Sequence, residues 1–264
     1  MSKFRKKKSY SNLIAAISIF LLLIFVAVVA YTYINKIKDI DEIDKVTFCS
    51  KTKSYDKHVI LLDITEKYNF VQVNDIKNNI EKLIKELAIG EKLEIYFLKD
   101  KVSEKDIPAL EVCNPNSGDN SDFLFSNPRL LKKNWNEKFY QPLMNTMNVI
   151  DEENEYNSSP ILEMIQWINV RTFKPNVDST NKLTIVSDMI QNSKNVSFFK
   201  DNISKLNNDA NTKFITNMNN VEVNLLVIYR NKYKKFQTKQ HIEFWLKYFT
   251  KQKALVNTIK RIDG

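Results

Sequence analysis

The chain has 264 residues and a formal charge of +9, with 43% hydrophobic and 27% charged residues. That length allows one sizeable domain plus an appendage. The positive excess is spread among Asp and Glu, with no arginine-rich stripe or aromatic-basic module, so no nucleic-acid partner is expected.

Lys3, Arg5, Lys6, Lys7 and Lys8 make residues 1–12 a basic tail. Residues 13–34 follow without an Asp, Glu, Lys or Arg and are mostly Leu, Ile, Val, Ala and Phe. About 20 such residues cross a bilayer core. The basic flank predicts a cytoplasmic N-terminus, a single pass through an inner (plasma) membrane, and a periplasmic or extracellular C-terminal domain. A cleaved signal peptide is the competing reading, with Val28-Val29-Ala30 as its cleavage site. The apolar run is longer than the ~7–15 residues of a signal-peptide core, which favours an anchor.

Residues 35–56 are polar and charged and read as a stalk, with Asp39, Asp41, Glu42 and Asp44 among them. Cys49 and Cys113 both fall on the exported side. An even count in an oxidising compartment predicts a disulfide between them; two unpaired thiols is the alternative.

The folded domain is expected over 57–264. Residues 59–62 are an unbroken apolar run, as in a strand covered on both faces. Ile76, Ile80, Leu83, Ile84 and Leu87 recur at helical spacing, and Gly90 is a plausible stop. A strand is predicted at 93–98. Residues 100–127 read as a long loop around Cys113-Asn114-Pro115, with a short edge strand at 109–112. Pro128 opens a helical stretch to about 150, interrupted near Pro142, and 151–155 is an acidic linker. Ser158-Ser159-Pro160 looks like a helix start, with serine as cap. Strands at 183–186 and 221–229 bracket a helix expected near 196–206. An aromatic helix at 239–251 and a last strand at 255–259 complete the chain. Its cluster of Phe244, Trp245, Tyr248 and Phe249 is expected to pack against the sheet. Alternating strands and helices predict an α/β fold with a doubly wound, mostly parallel sheet.

Two strands end in carboxylates: 58–63 at Asp63 and 182–188 at Asp188. In such sheets the strand C-termini line the ligand crevice. Taken alone, Asp63 could cap a helix, Asp188 could be a turn residue and Ser159 a bare N-cap.

In this respect the chain resembles the von Willebrand factor A-type domain. That family builds a metal-ion-dependent adhesion site from an Asp-x-Ser-x-Ser loop, a Ser or Thr of a middle loop, and a later Asp. Asp63 and Thr65 match the first two positions of the loop, Ser159 or its neighbour Ser158 the middle hydroxyl, and Asp188 the last Asp. Lys67 stands where the second serine belongs. The resemblance implies a Mg²⁺ site formed by Asp63, Thr65, Ser159 and Asp188, which would capture an acidic residue of a protein partner within a multi-protein envelope assembly. Lys67 suggests the other option, a metal-free scaffold of the same fold in which an ammonium supplies the counter-charge. A third reading is a membrane-anchored hydrolase using the crevice carboxylates. The two histidines, His58 and His241, adjoin no nucleophile motif, and no phosphate-cradling glycine loop is present, so no catalytic residue and no small-molecule substrate is assigned.

Overall fold

The computed structural model describes residues 11–38, 42–53, 55–103, 105–119, 127–152, 155–173 and 179–264. The basic N-terminal cluster, Asp39 and Asp41 lie outside them. The chain divides into two compact units, Met1–Glu42 and Ile43–Gly264.

The first unit holds helix α1, Ser11–Lys38. Its stretch Ile14–Thr32, 19 residues long, has the length and apolar composition to cross a membrane. At 1.5 Å per residue it rises about 28 Å, close to the thickness of a hydrocarbon core.

The second unit is built on a six-stranded sheet in the order β3-β2-β1-β4-β5-β6. The strands are β1 Lys57–Asp63, β2 Lys92–Leu98, β3 Leu110–Cys113, β4 Asn181–Ser187, β5 Val221–Ile228 and β6 Leu255–Ile262. All neighbours run parallel except β3, which is antiparallel to β2. The helices are α2 Phe70–Glu86, α3 Pro128–Trp135, α4 Gln141–Met147, α5 Ile161–Arg171, α6 Ile203–Lys213 and α7 Lys239–Lys251. This is the predicted α/β architecture.

Strand β1 shows why its sequence is uniformly apolar. Val59 and Leu61 enter one core with α5, α6 and α7, while Ile60 and Leu62 enter the other with α2 and α4. All four are fully buried. Trp245, Phe244, Tyr248 and Phe249 of α7 are core residues, as expected from their spacing. Helix α2 begins earlier than its apolar periodicity indicates. Asn69 and Gln72 form a reciprocal capping box that fixes its start.

Two segments depart from expectation. Residues 196–206 are not one helix. Ser193 and Ser197 turn their hydroxyls onto nearby backbone amides, which competes with helix formation. The helix instead starts after Asn202, whose side chain accepts from Lys205 N at 2.9 Å. The interruption between α3 and α4 is a short π-helix at Asn136–Tyr140, ahead of Pro142. The loop at Asn114 is also packed: its side chain donates to Leu87 O at 2.9 Å and accepts from Trp135 Nε1 at 2.8 Å.

The sheet edges differ. At the β3 edge, Cys49 is bonded to Cys113, and Cys113 N donates to Thr47 O at 2.7 Å. Both cysteines lie in the unit Ile43–Gly264. At the other edge, β6 is largely exposed along its length and carries Lys260 and Arg261.

The disulfide spans 64 residues. In the chain-entropy model a loop of that size is worth about 4 kcal/mol. Urea unfolding of Cys49→Ser/Cys113→Ser should show a loss of about 2–4 kcal/mol. Reductant should produce the same loss in the wild type and none in the double variant.

Candidate functional site

Asp63 ends β1 at the C-terminal edge of the sheet and is 4% exposed. A buried carboxylate needs compensation by hydrogen bonds or charge. Oδ1 accepts from Thr65 N at 3.0 Å and Thr65 Oγ1 at 2.6 Å. Oδ2 accepts from Ser187 Oγ at 2.6 Å and Ser159 Oγ at 3.1 Å. Tyr68 donates its hydroxyl to the Asp63 carbonyl. The carboxylate therefore ties together three segments: the loop after β1, the entry to α5, and the end of β4.

Ser159 does not cap α5, whose N-cap, Pro160, makes no side-chain capping bond. The Gln191 side chain accepts from Leu162 N at 2.9 Å in that role. Ser158 turns elsewhere, donating to Asp100 O at 2.6 Å. Ser187 is a contributor that motif matching passes over. It sits directly before Asp188, and only its pairing in the sheet brings its hydroxyl to Asp63.

Asp188 is also buried. Oδ1 accepts from Ile190 N at 2.9 Å, and Oδ2 lies 3.3 Å from Arg230 Nε. Glu66 Oε2 lies 3.4 Å from the same nitrogen and 2.9 Å from Lys232 Nζ. Tyr233 donates its hydroxyl to Glu66 Oε1. The Arg230 guanidinium also donates to the carbonyls of Lys67 at 2.6 Å and Glu66 at 3.3 Å, and stands 5.3 Å from the centre of the Tyr68 ring. Gln237 fixes the base of this loop, donating to Asp188 O at 3.1 Å and Ile228 O at 2.7 Å and accepting from Arg230 N at 2.8 Å. Burial, then the neighbouring charge of Asp63, pushes the Asp188 carboxyl up to about 7, while Arg230 opposes that rise.

The four residues of the implied metal site, Asp63, Thr65, Ser159 and Asp188, do converge on this crevice. Arg230, from the loop after β5, faces Asp188 and Glu66, and Lys232 faces Glu66 as well. Arg230 has no counterpart in the quoted motif; its signal is an arginine just beyond the end of a strong strand.

Magnesium favours a shell of oxygens with near-octahedral geometry. Thr65 and Ser159 retain lone pairs, but the second motif hydroxyl is missing and a permanent guanidinium already borders Asp188 and Glu66. No group of three or more His, Cys, Asp or Glu residues suited to a metal occurs among the described residues.

A cavity of about 230 Å³ opens beside the crevice between Thr65, Ser159, Asn192, Phe199 and Tyr233. The histidines are engaged elsewhere. His241 Nε2 lies 2.7 Å from Met189 O, and Trp245 Nε1 donates to the same carbonyl. His58, at the opposite sheet edge, bonds Thr184 Oγ1 through Nε2 at 2.9 Å. Burial, reinforced by the charge of Lys182, lowers its pKa to about 3.

Three outcomes follow from these contacts. Asp63→Ala orphans the donors around it and should cost about 3 kcal/mol in urea unfolding. Arg230→Leu leaves two carboxylates facing each other and should cost a similar amount, about 3 kcal/mol; adding Asp188→Asn should recover part of it. His58 stays neutral in the fold but takes up a proton in the unfolded chain below its ordinary pKa. Stability should therefore fall as pH drops from about 6.5 towards 3, with about 2 kcal/mol lost by pH 5. His58→Gln should remove that dependence, read by urea unfolding at pH 5 and pH 8.

No family model matches the chain, and no curated protein matches it. Among solved structures it is similar to the conserved hypothetical protein BatB from Bacteroides thetaiotaomicron, at 14% identity and a TM-score of 0.36, covering 79% of this chain and 91% of that one. It is also similar to an aerotolerance-related membrane protein from Bacteroides fragilis NCTC 9343, at 11% identity and a TM-score of 0.36, covering 79% and 92% of the two chains. At such identity and overlap neither neighbour lends its role to this chain.

Proposed function

We propose that the chain is a membrane-anchored protein-interaction module of von Willebrand factor A type. Its crevice engages a protein partner without a metal ion, within a multi-protein envelope assembly. The observation that carries this reading is the Arg230 guanidinium, 3.3 Å from Asp188 and 3.4 Å from Glu66, where the resembled family would use a cation. Helix α1 supplies an anchor, and the Cys49–Cys113 bond suits an exported domain, with the N-terminus cytoplasmic. The crevice carboxylates serve to hold the loops together, and no catalysis is assigned to them.

Thermal unfolding of the full chain in detergent tests the metal-free part. A ligand at about 100 times its Kd adds about 2.7 kcal/mol, enough to raise the midpoint by several degrees. Millimolar Mg²⁺ against chelator should give no such rise. A concentration-dependent rise that disappears in Asp188→Ala would overturn it. For the docking part, a photoreactive residue at Asn192 in the crevice should yield a discrete cross-linked species in membranes. One at Asn257, on β6, should not; equal cross-linking from both positions would count against the crevice.

A further inference from the structure

The loop between β5 and α7 presents more positive charge than the crevice consumes. Residues 230–235 read Arg-Asn-Lys-Tyr-Lys-Lys, four cations in six positions. Two are committed inward: Arg230 to Asp188 and Glu66, and Lys232 to Glu66. Lys234 and Lys235 are exposed, and no carboxylate stands within ion-pair distance of either among the described residues.

The loop is also internally hydrogen-bonded. Tyr233 N donates to Arg230 O at 2.9 Å, Phe236 N to Tyr233 O at 2.8 Å, and Gln237 pins its base. Its charge is interleaved with aromatic surface. Lys235 Nζ lies 4.8 Å from the centre of the Phe236 ring. Phe199, 40% exposed, packs on Phe236 at 4.9 Å and on Tyr233 at 5.5 Å.

We propose that this loop is the docking surface for an acidic segment of a separate protein, one that also carries an apolar or aromatic side chain for the Phe199–Phe236 patch. This rests on the crevice reading above and names the chemistry of its partner. Charge complementarity carries the choice: two exposed ammonium groups on a hydrogen-bonded loop attract carboxylates at little ordering cost.

The test uses the full chain in discs of neutral phosphatidylcholine. A fluorescent glutamate-rich peptide bearing one phenylalanine should bind, and binding should weaken as salt rises from about 50 to about 300 mM. Lys234→Glu/Lys235→Glu should weaken it at least about tenfold with the melting temperature unchanged, since both side chains are exposed. Equal binding by the variant, or none by the wild type, overturns the proposal. So does binding of phosphatidylglycerol vesicles in place of the peptide. If the charge-reversed variant keeps the Asn192 cross-link, the acidic-segment proposal falls and the crevice reading stands. If the wild type forms no crevice cross-link yet binds the peptide in a loop-dependent way, the crevice reading falls alone.

Discussion

The crevice depends on one buried carboxylate. Asp63 is nearly sealed from water and accepts four hydrogen bonds from three chain segments. These segments are far apart in sequence, and their loops would otherwise be set only by the strands they leave. A desolvated carboxylate with four donors is satisfied in a single arrangement, so it fixes the loop entering α5 and the end of β4 relative to β1. Asp188 and Glu66 are then brought close together at the mouth, and the energetic problem shifts from Asp63 to them.

Arg230 answers that problem with a side chain. Its planar, permanently charged group can face several acceptors at once, which an ammonium does less well. Bordering two carboxylates and donating to two carbonyls, it makes the loop after β5 part of the crevice wall. Two aromatic hydroxyls, from Tyr68 and Tyr233, occupy further acceptors in the same region. The result is a mouth whose anions are internally matched and whose remaining charge faces outward on a cationic rim.

Much of the fold was legible in the sequence because it is written in apolar periodicity. The strand at 59–62, the helix around Ile76 to Leu87 and the aromatic spacing of α7 all state their burial directly. What failed were choices made by polar side chains. Ser193, Ser197 and Asn202 decide where α6 starts, and their hydrogen bonds leave no periodic trace. Asp63 and Asp188 could be anticipated at one crevice because each follows a strand, while Thr65 and Ser159 entered through the resemblance to the adhesion-site motif. Ser187 and Arg230 could not, because their roles exist only once β4 lies beside β1 and β5 beside β4. Arg230, which borders Asp188 and Glu66, lies 163 residues beyond Lys67, and only the sheet brings the two loops together.

The unequal edges of the sheet have a consequence for how copies of this domain can add to one another. The short β3 edge is stapled to the segment carrying Cys49, so it offers little free backbone. Among the described residues, β6 is the long edge strand with no further strand beside it, and it carries Lys260 and Arg261. Strand addition needs an acceptor edge on both partners to continue indefinitely. A sheet with one usable side is a terminator: a single added strand, or a second copy, exhausts it. This asymmetry opposes open-ended growth through the sheet.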